Sequence, residues 1–335
     1  MILVTGGTGL IGAHLLLQLS QKEKTIRAIY RNANKIADVK RFFSAEENGD
    51  TLFNQIEWME ADITNVTSLE KAFEDISKVF HCAGFISFDP FDYKSLRNIN
   101  IEGTANIVNL CIAHKIEKLC YLSSIATLGD KTGEKTVDEE THWDPETDNS
   151  IYAITKYGAE MEVWRGTQEG VPAIILNPGV VLGEGFWDSP SSQIFKKVNE
   201  GLSYYTSGSS GFVDVKDVVQ ALVKSMDSEI KNKRFVTVGS NISYKTIVEH
   251  IAKALQKTPP KKELKPWQIN LLWRIDWFLS LFPVPGRKRK LTRKTAKSLS
   301  SKTVYKNEKI KKALAIDFTP IEQTIGRISK RFIAS

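Results

Sequence analysis

The chain has 335 residues, 41% hydrophobic and 25% charged, an ordinary globular composition with ample length for a large core. No window reaches the ~18 uninterrupted apolar residues that a membrane span needs, which argues against an integral helical membrane protein. The net charge of +7 is uneven: residues 256–335 hold 20 Lys/Arg against 5 Asp/Glu, so an anionic partner is expected to meet the C-terminal part. In chain order, strand-like apolar runs fall at Ile2–Thr5, Ile26–Tyr30, Ile56–Met59, Val79–Cys82, Leu119–Ser123 and Ala173–Leu176. Helical periods begin near Ile11, Val66, Tyr93 and Ile151 between them. Strand–helix–strand repetition of this length predicts an α/β fold, a doubly wound parallel sheet with its ligand crevice at the carboxyl ends of the strands. A strand starting at the first residue predicts that no leader precedes it.

After Pro178 the pattern loosens. The run Ser207-Gly208-Ser209-Ser210-Gly211 reads as a flexible turn before another strand or helix start, and the chain reads as helical from Ser243, with Pro259-Pro260 as a break. The predicted organisation is a dinucleotide-binding domain, 1–179 with 214–239 returning to it, and a smaller, mostly helical substrate lobe, 180–213 and 240–335. Cys82, Cys111 and Cys120 have neither metal-ligand nor disulfide-framework spacing, so no metal site and a reducing cytoplasm are expected.

Thr5-Gly6-Gly7-Thr8-Gly9-Leu10-Ile11-Gly12 follows the first strand and opens an amphipathic helix. Gly6 suits a tight turn, Gly9 a close approach of backbone to a pyrophosphate, and Gly12 the packing of helix on strand. The N–H groups of Leu10, Ile11 and Gly12 at the helix start would meet phosphates. A bare glycine triplet is only a tight turn; its placement between strand and helix points to a nucleotide. Arg31, in Ile29-Tyr30-Arg31-Asn32, stands where a 2′-phosphate is read, with Lys35 close by and no carboxylate competing; NADP is therefore expected over NAD. The alternative is a solvated arginine. Asp62 is placed either to bind an adenine amino group or to cap the following helix.

Tyr152 and Lys156 stand four apart on one helical face. A phenol titrates near ~10, and a neighbouring ammonium together with an oxidised nicotinamide would favour the phenolate. Ser124 ends the fifth strand and could donate to a carbonyl oxygen as charge develops there. A tyrosine–lysine pair alone is more often a solvated face; the loop, the strand-end serine and this helix in sheet order are not.

These motifs resemble the extended short-chain dehydrogenase/reductases, the branch that holds sugar-nucleotide epimerases, dihydroflavonol reductases and 3β-hydroxysteroid dehydrogenases. The glycine loop matches Thr5 through Gly12, the YxxxK motif matches Tyr152 and Lys156, and the serine strand end matches Ser123 through Gly129. Further similar segments are His81-Cys82-Ala83-Gly84, Asn100-Ile101-Glu102-Gly103-Thr104 and Phe212-Val213-Asp214-Val215-Lys216-Asp217. The resemblance implies catalytic roles for Ser124, Tyr152 and Lys156. It implies cofactor contacts from Gly6, Gly9, Leu10, Ile11, Gly12, Arg31, Asp62, Ile63, Ala83, Gly84, Lys156 and Pro178, and a homodimer built on the helix carrying Tyr152. Asn177-Pro178-Gly179 departs from the family's usual Arg-Pro-Gly, and Leu182-Gly183-Glu184-Gly185 from its Gly-Pro turn. Ile125-Ala126 stand where dehydratases carry an acidic pair, which argues against dehydration. The dihydroflavonol-reductase and hydroxysteroid-dehydrogenase side is the nearer one.

Phe85, Ile86, Phe88, Phe186 and Trp187 could line a pocket for an apolar carbonyl compound or simply pack in the core. The expected partner is thus a small molecule; nucleic acid is not expected, because the basic run lacks a recognition module. Pro266-Trp267 through Leu281-Phe282 is aromatic-rich, with Gly286-Arg287-Lys288-Arg289-Lys290 after it. Residues 266–294 read either as a weak membrane-surface contact or as a helix over the substrate cleft. The predicted activity is hydride transfer between nicotinamide and a carbonyl or alcohol. The competing readings are a nucleotide-sugar epimerase with tightly held NAD and a non-catalytic dinucleotide sensor.

Overall fold

The computed structural model describes residues 1–22, 25–129, 136–280 and 291–335. Seven strands form the main sheet: β1 (Ile2–Thr5), β2 (Ile26–Tyr30), β3 (Ile56–Glu60), β4 (Lys78–His81), β5 (Lys118–Leu122), β6 (Ala173–Pro178) and β7 (Lys233–Thr237). Their order is β7-β6-β5-β4-β1-β2-β3, and every neighbouring pair is parallel. This is the predicted doubly wound α/β sheet. Six strands fall on the apolar runs, and β7 lies in the returning segment. Residues of β1, β5 and β6 are buried throughout, because helices cover both faces and leave no polar alternation. The strand order turns back between β1 and β4, which opens a crevice at their carboxyl ends.

Helices α1 (Leu10–Ser20), α2 (Val66–Ala72), α3 (Gly103–Ala113), α4 (Ile151–Gln168) and α5 (Val215–Asp227) flank the sheet. Leu15, Leu16 and Leu19 of α1 and Val218, Val219 and Leu222 of α5 pack on one face. Leu69 of α2, Ile107 and Val108 of α3 and Val163 of α4 pack on the other. Each such side chain contributes about 1.5–3 kcal/mol by leaving water. Ser150 caps α4, its hydroxyl accepting from the Ala153 N–H at 3.1 Å, which fixes where the helix bearing Tyr152 begins.

Beyond the sheet, strands Val180–Leu182, Ser209–Asp214 and Ser240–Ser243 make a second, three-stranded sheet. Helices α6 (Tyr244–Ala254), α7 (Pro266–Ser280) and α8 (Ile321–Ile333) follow, and Phe195, Phe212, Ile251 and Ile325 fill a separate core there. Ile310 and Leu314, from the helix Glu308–Leu314, rejoin the core of α1 and α5 instead. The strand expected after the Ser207–Gly211 turn begins inside that stretch, so Ser209 to Gly211 already belong to it. The two glycines of the stretch are small because neighbours press on them. A Cβ on Gly211 would stand 2.8 Å from the Val238 methyls, and one on Gly208 2.5 Å from the Leu299 carbonyl oxygen.

Candidate active site

The turn after β1 depends on two glycines. Gly6 sits at φ +71°, and a Cβ there would lie 2.6 Å from the Ala83 backbone nitrogen; a Cβ on Gly12 would lie 2.1 Å from the Gly6 carbonyl oxygen. The turn is thereby pressed against the end of β4 and the helix against the turn. Gly9 occupies the N-cap of α1 and supplies no side chain, so the first N–H groups of the helix lack a side-chain acceptor. They are available to an anion.

A cleft of about 590 Å³ opens over this turn. Of the residues expected to touch a cofactor, Gly6, Gly9, Leu10, Arg31, Asp62, Ile63, Ala83 and Gly84 line it. Ile11 packs toward the core, Gly12 lies under the turn, and Pro178 is buried at the end of β6. Arg31 is 65% exposed, with its guanidinium 3.9 Å from Asp62. Lys35, Arg41 and Lys196 stand in the same wall, each beside a carboxylate that also lines it: Asp38 at 3.6 and 3.5 Å from the first two, and Asp188 at 2.5 Å from Lys196. The expectation that no carboxylate competes with Arg31 is thereby corrected, because the turn after β3 sets Asp62 against it. Asp62 does not cap the next helix. Asn65 does that, accepting from Ser68 N–H at 3.2 Å, while one Asp62 oxygen takes the Thr64 N–H and hydroxyl. The turn holds its shape only with glycine at 6 and 12, Gly9 leaves the helix start open, and the cleft has the size and the donors for a dinucleotide.

At the sheet end of the cleft, the Ser124 hydroxyl accepts from the Ala126 N–H at 3.1 Å and lies near the Tyr152 phenol. Burial pushes the phenol up to about 12, with the Ser124 hydroxyl pulling the other way. Lys156 is engaged by other partners. Its Nζ donates to the Tyr121 hydroxyl and to the Leu122 carbonyl, each at 2.8 Å. Burial brings this ammonium down to about 8, against the opposing charge of Glu160. A Cβ on Gly84 would stand 4.0 Å from Lys156 Nζ, which joins the lysine to the lined cleft.

Tyr121 and Glu160 carried no sequence signal, since each acquires meaning only from distant partners. Tyr121 is fully buried beside His81, the rings stacked at 5.4 Å. Glu160, one turn beyond Lys156, is also fully buried. It accepts from Ser123 Oγ at 2.6 Å, Thr127 Oγ1 at 2.8 Å, Asn177 Nδ2 at 2.9 Å and Arg234 at 3.2 Å. Asn177, the departure from the family's arginine, also donates to the Ser124 carbonyl at 3.2 Å. This carboxylate therefore holds the turn that presents Ser124. Asn100 lies in a π-helical turn, Arg97–Glu102, ahead of α3. Its side chain accepts from Phe85 N–H at 2.7 Å and donates to Phe85 carbonyl at 3.0 Å and Thr155 Oγ1 at 3.2 Å, clamping the Phe85 loop to α4.

His81 bridges Thr5 Oγ1 at 2.7 Å and Thr104 Oγ1 at 2.9 Å. Burial first, and then the Lys156 charge, lower it from 6.5 to about 3. Between those values the unfolded chain binds a proton that the native one does not, so stability falls as pH drops from 6.5 toward 3. Acidification from pH 7 to pH 5 is expected to cost roughly 2 kcal/mol through this residue alone. Urea titrations of wild type and His81→Asn at both pH values check it; an equal acid loss in both proteins would overturn it.

Of the proposed pocket aromatics, only Phe88 meets the phenol, edge-on at 5.7 Å, and it is 43% exposed. Phe186 and Trp187 instead line the dinucleotide cleft, packed on Phe42 at 5.7 Å and Phe332 at 5.0 Å.

A parallel sheet reversed beside β1, a glycine turn and a Ser–Tyr–Lys group at one edge define a short-chain dehydrogenase/reductase of the extended type. The chain belongs to the NAD dependent epimerase/dehydratase family, whose sequence profile matches residues 2–239. Among curated relatives, it is 26% identical to a putative dihydroflavonol 4-reductase of Synechocystis over 96% of this chain and 92% of that one. It is 24% identical to cinnamoyl-CoA reductase 1 of Petunia hybrida, over 97% and 90%. The crystal structure of gox2253 superposes with a TM-score of 0.82 at 23% identity, covering 100% of this chain and 98% of that one. The Bordetella bronchiseptica enzyme WbmG, crystallised with NAD, gives 0.75 at 16% identity, covering 99% and 94%.

Proposed function

We propose that this enzyme is an NADP-linked reductase of an apolar ketone or aldehyde. The observation that carries the reading is the gathering of Ser124, the Tyr152 phenol and a buried Lys156, bonded to Tyr121 and Leu122 and 4.0 Å from where a Gly84 Cβ would stand, at the sheet end of the glycine-turn cleft. The dinucleotide supplies the hydride when bound. Ser124 donates to the substrate oxygen and holds it against the phenol. Tyr152, kept protonated at neutral pH by burial, delivers its proton to the oxygen as the alkoxide forms. Lys156 adds a positive charge to the sugar end of the site, and Glu160 anchors the turn beneath Ser124.

Leu10, Ile11 and Gly12 would bind the pyrophosphate at the start of α1, and Asp62 the adenine amino group. Arg31 with Lys35 supports a 2′-phosphate, and therefore NADP over NAD. The exposed Phe88 against Tyr152 supports an apolar group at the reacting carbonyl, and the name of one relative, a putative dihydroflavonol 4-reductase, is in keeping with it. The reading places the substrate under the part formed by 180–213 and 240–335. It includes a cytoplasmic location, consistent with three free cysteines, and a homodimer through the outer face of α4, where Ile154 is exposed.

The test is a spectrophotometric panel of NADPH and NADH against aromatic aldehydes, flavonoid and steroid ketones, acyl-CoA thioesters and nucleotide sugars. NADPH oxidation with an apolar carbonyl is expected, with kcat/KM about tenfold above that with NADH, and Arg31→Ala is expected to remove most of that preference. Conversion of nucleotide sugars alone, without net cofactor oxidation, would refute the reductase; equal use of NADH would refute the NADP assignment.

A further inference from the structure

Helix α7 presents its apolar side outward. At about 100° per residue, Trp267, Leu271, Leu272, Ile275, Phe278 and Leu279 share one arc of roughly 140°. All six are exposed, Trp267 by 63%. The opposite side carries Ile269, the helix's buried residue, the half-buried Trp273 and Asp276, which accepts the Leu291 N–H at 2.9 Å; Trp277 is exposed outside the arc and the half-buried Gln268 lies within it. A surface helix of a globular protein turns its apolar stripe to the core. This one does the reverse, and a contiguous exposed apolar face of this kind marks a contact surface.

The charge around the helix says which. Between residues 257 and 302 the sequence holds thirteen Lys/Arg and only Glu263 and Asp276 as acids. Lys261, Lys262 and Lys265 precede the helix, Arg274 lies on it, and Lys297 lies in the segment Arg293–Ser298 packed beside it; all are exposed. Residues 281–290, with the predicted basic run 287–290, lie outside the described residues. A second copy of the chain fits this face poorly. A symmetric contact would set like charges against each other. The helix is also only about 22 Å long and ~10 Å wide, far short of the ~800 Å² per partner of a stable interface. No helix among the described residues is long and apolar enough to cross a membrane.

We propose that α7 lies in the plane of an anionic phospholipid surface, with Trp267, Leu271 and Ile275 among the acyl chains and the flanking lysines and Arg274 at the headgroups. Apolar burial supplies the depth of insertion and the cations supply the selectivity for negative lipid. The surface is independent of the reaction performed in the cleft.

The test is co-sedimentation of the full chain with vesicles of phosphatidylglycerol and phosphatidylcholine, and of phosphatidylcholine alone, at low and at ~0.5 M salt. Binding is expected only to the anionic vesicles, weakened by salt. Trp267→Ser/Leu271→Ser/Ile275→Ser is expected to weaken it more than tenfold, with unchanged thermal unfolding and NADPH affinity. Brominated lipids are expected to quench tryptophan fluorescence in wild type, and less in a Trp267→Leu variant. Three results would overturn the proposal: no binding to anionic vesicles at low salt; equal binding by the triple variant; or a concentration-dependent dimer that the triple variant abolishes, which would assign the face to a second copy.

Discussion

Tyr152→Phe is expected to lower kcat for carbonyl reduction by about 10²–10⁴-fold, the usual contribution of a positioned proton donor. The change removes one oxygen and leaves a ring of the same shape against Phe88, so the cleft lining is untouched. NADPH affinity, read by fluorescence titration, should therefore be unaltered. Because the proton is needed only as charge develops on the substrate oxygen, kcat and kcat/KM should fall together rather than KM rising alone. Ser124 keeps its N–H partner from Ala126, so the turn bearing it should survive. A variant retaining more than about a tenth of wild-type kcat would show that another group donates the proton.

Glu160→Ala should produce the largest loss of stability, about 3–5 kcal/mol, because it takes the shared acceptor from three buried donors and the charge partner from the half-buried Arg234. Arg234 would keep only carbonyl acceptors, among them Glu139 at 2.8 Å and Thr141 at 3.3 Å. Ser123, Thr127 and Asn177 would at the same time lose the acceptor they share. Calorimetry should show a midpoint lowered by about 4–7 °C. Glu160→Gln, which retains an oxygen acceptor, should lose less. It should still slow turnover by disordering the Ser124 turn. A loss below ~1 kcal/mol in the alanine variant would mean that water replaces the carboxylate.

Sequence by itself determined the parts whose physics is local. Apolar runs longer than alternation allows mark strands covered on both faces, and they locate six of the seven sheet strands. A glycine turn between strand and helix, and a tyrosine four residues before a lysine, can be read from spacing because the backbone alone brings such residues together. Tertiary structure decided the rest. Lys156 rests on Tyr121, thirty-five residues away in the chain. Glu160 gathers Ser123 and Arg234 from opposite sides of α4's sequence. Phe186 and Trp187, which composition leaves free for a substrate pocket, stand instead over the dinucleotide cleft. The glycines of 208–211, which look like flexibility, are demanded by Val238 and Leu299. Each of these depends on which distant segments the sheet sets side by side, and a hydroxyl, a carboxylate or an aromatic ring has no chemistry of its own until that neighbour is in place.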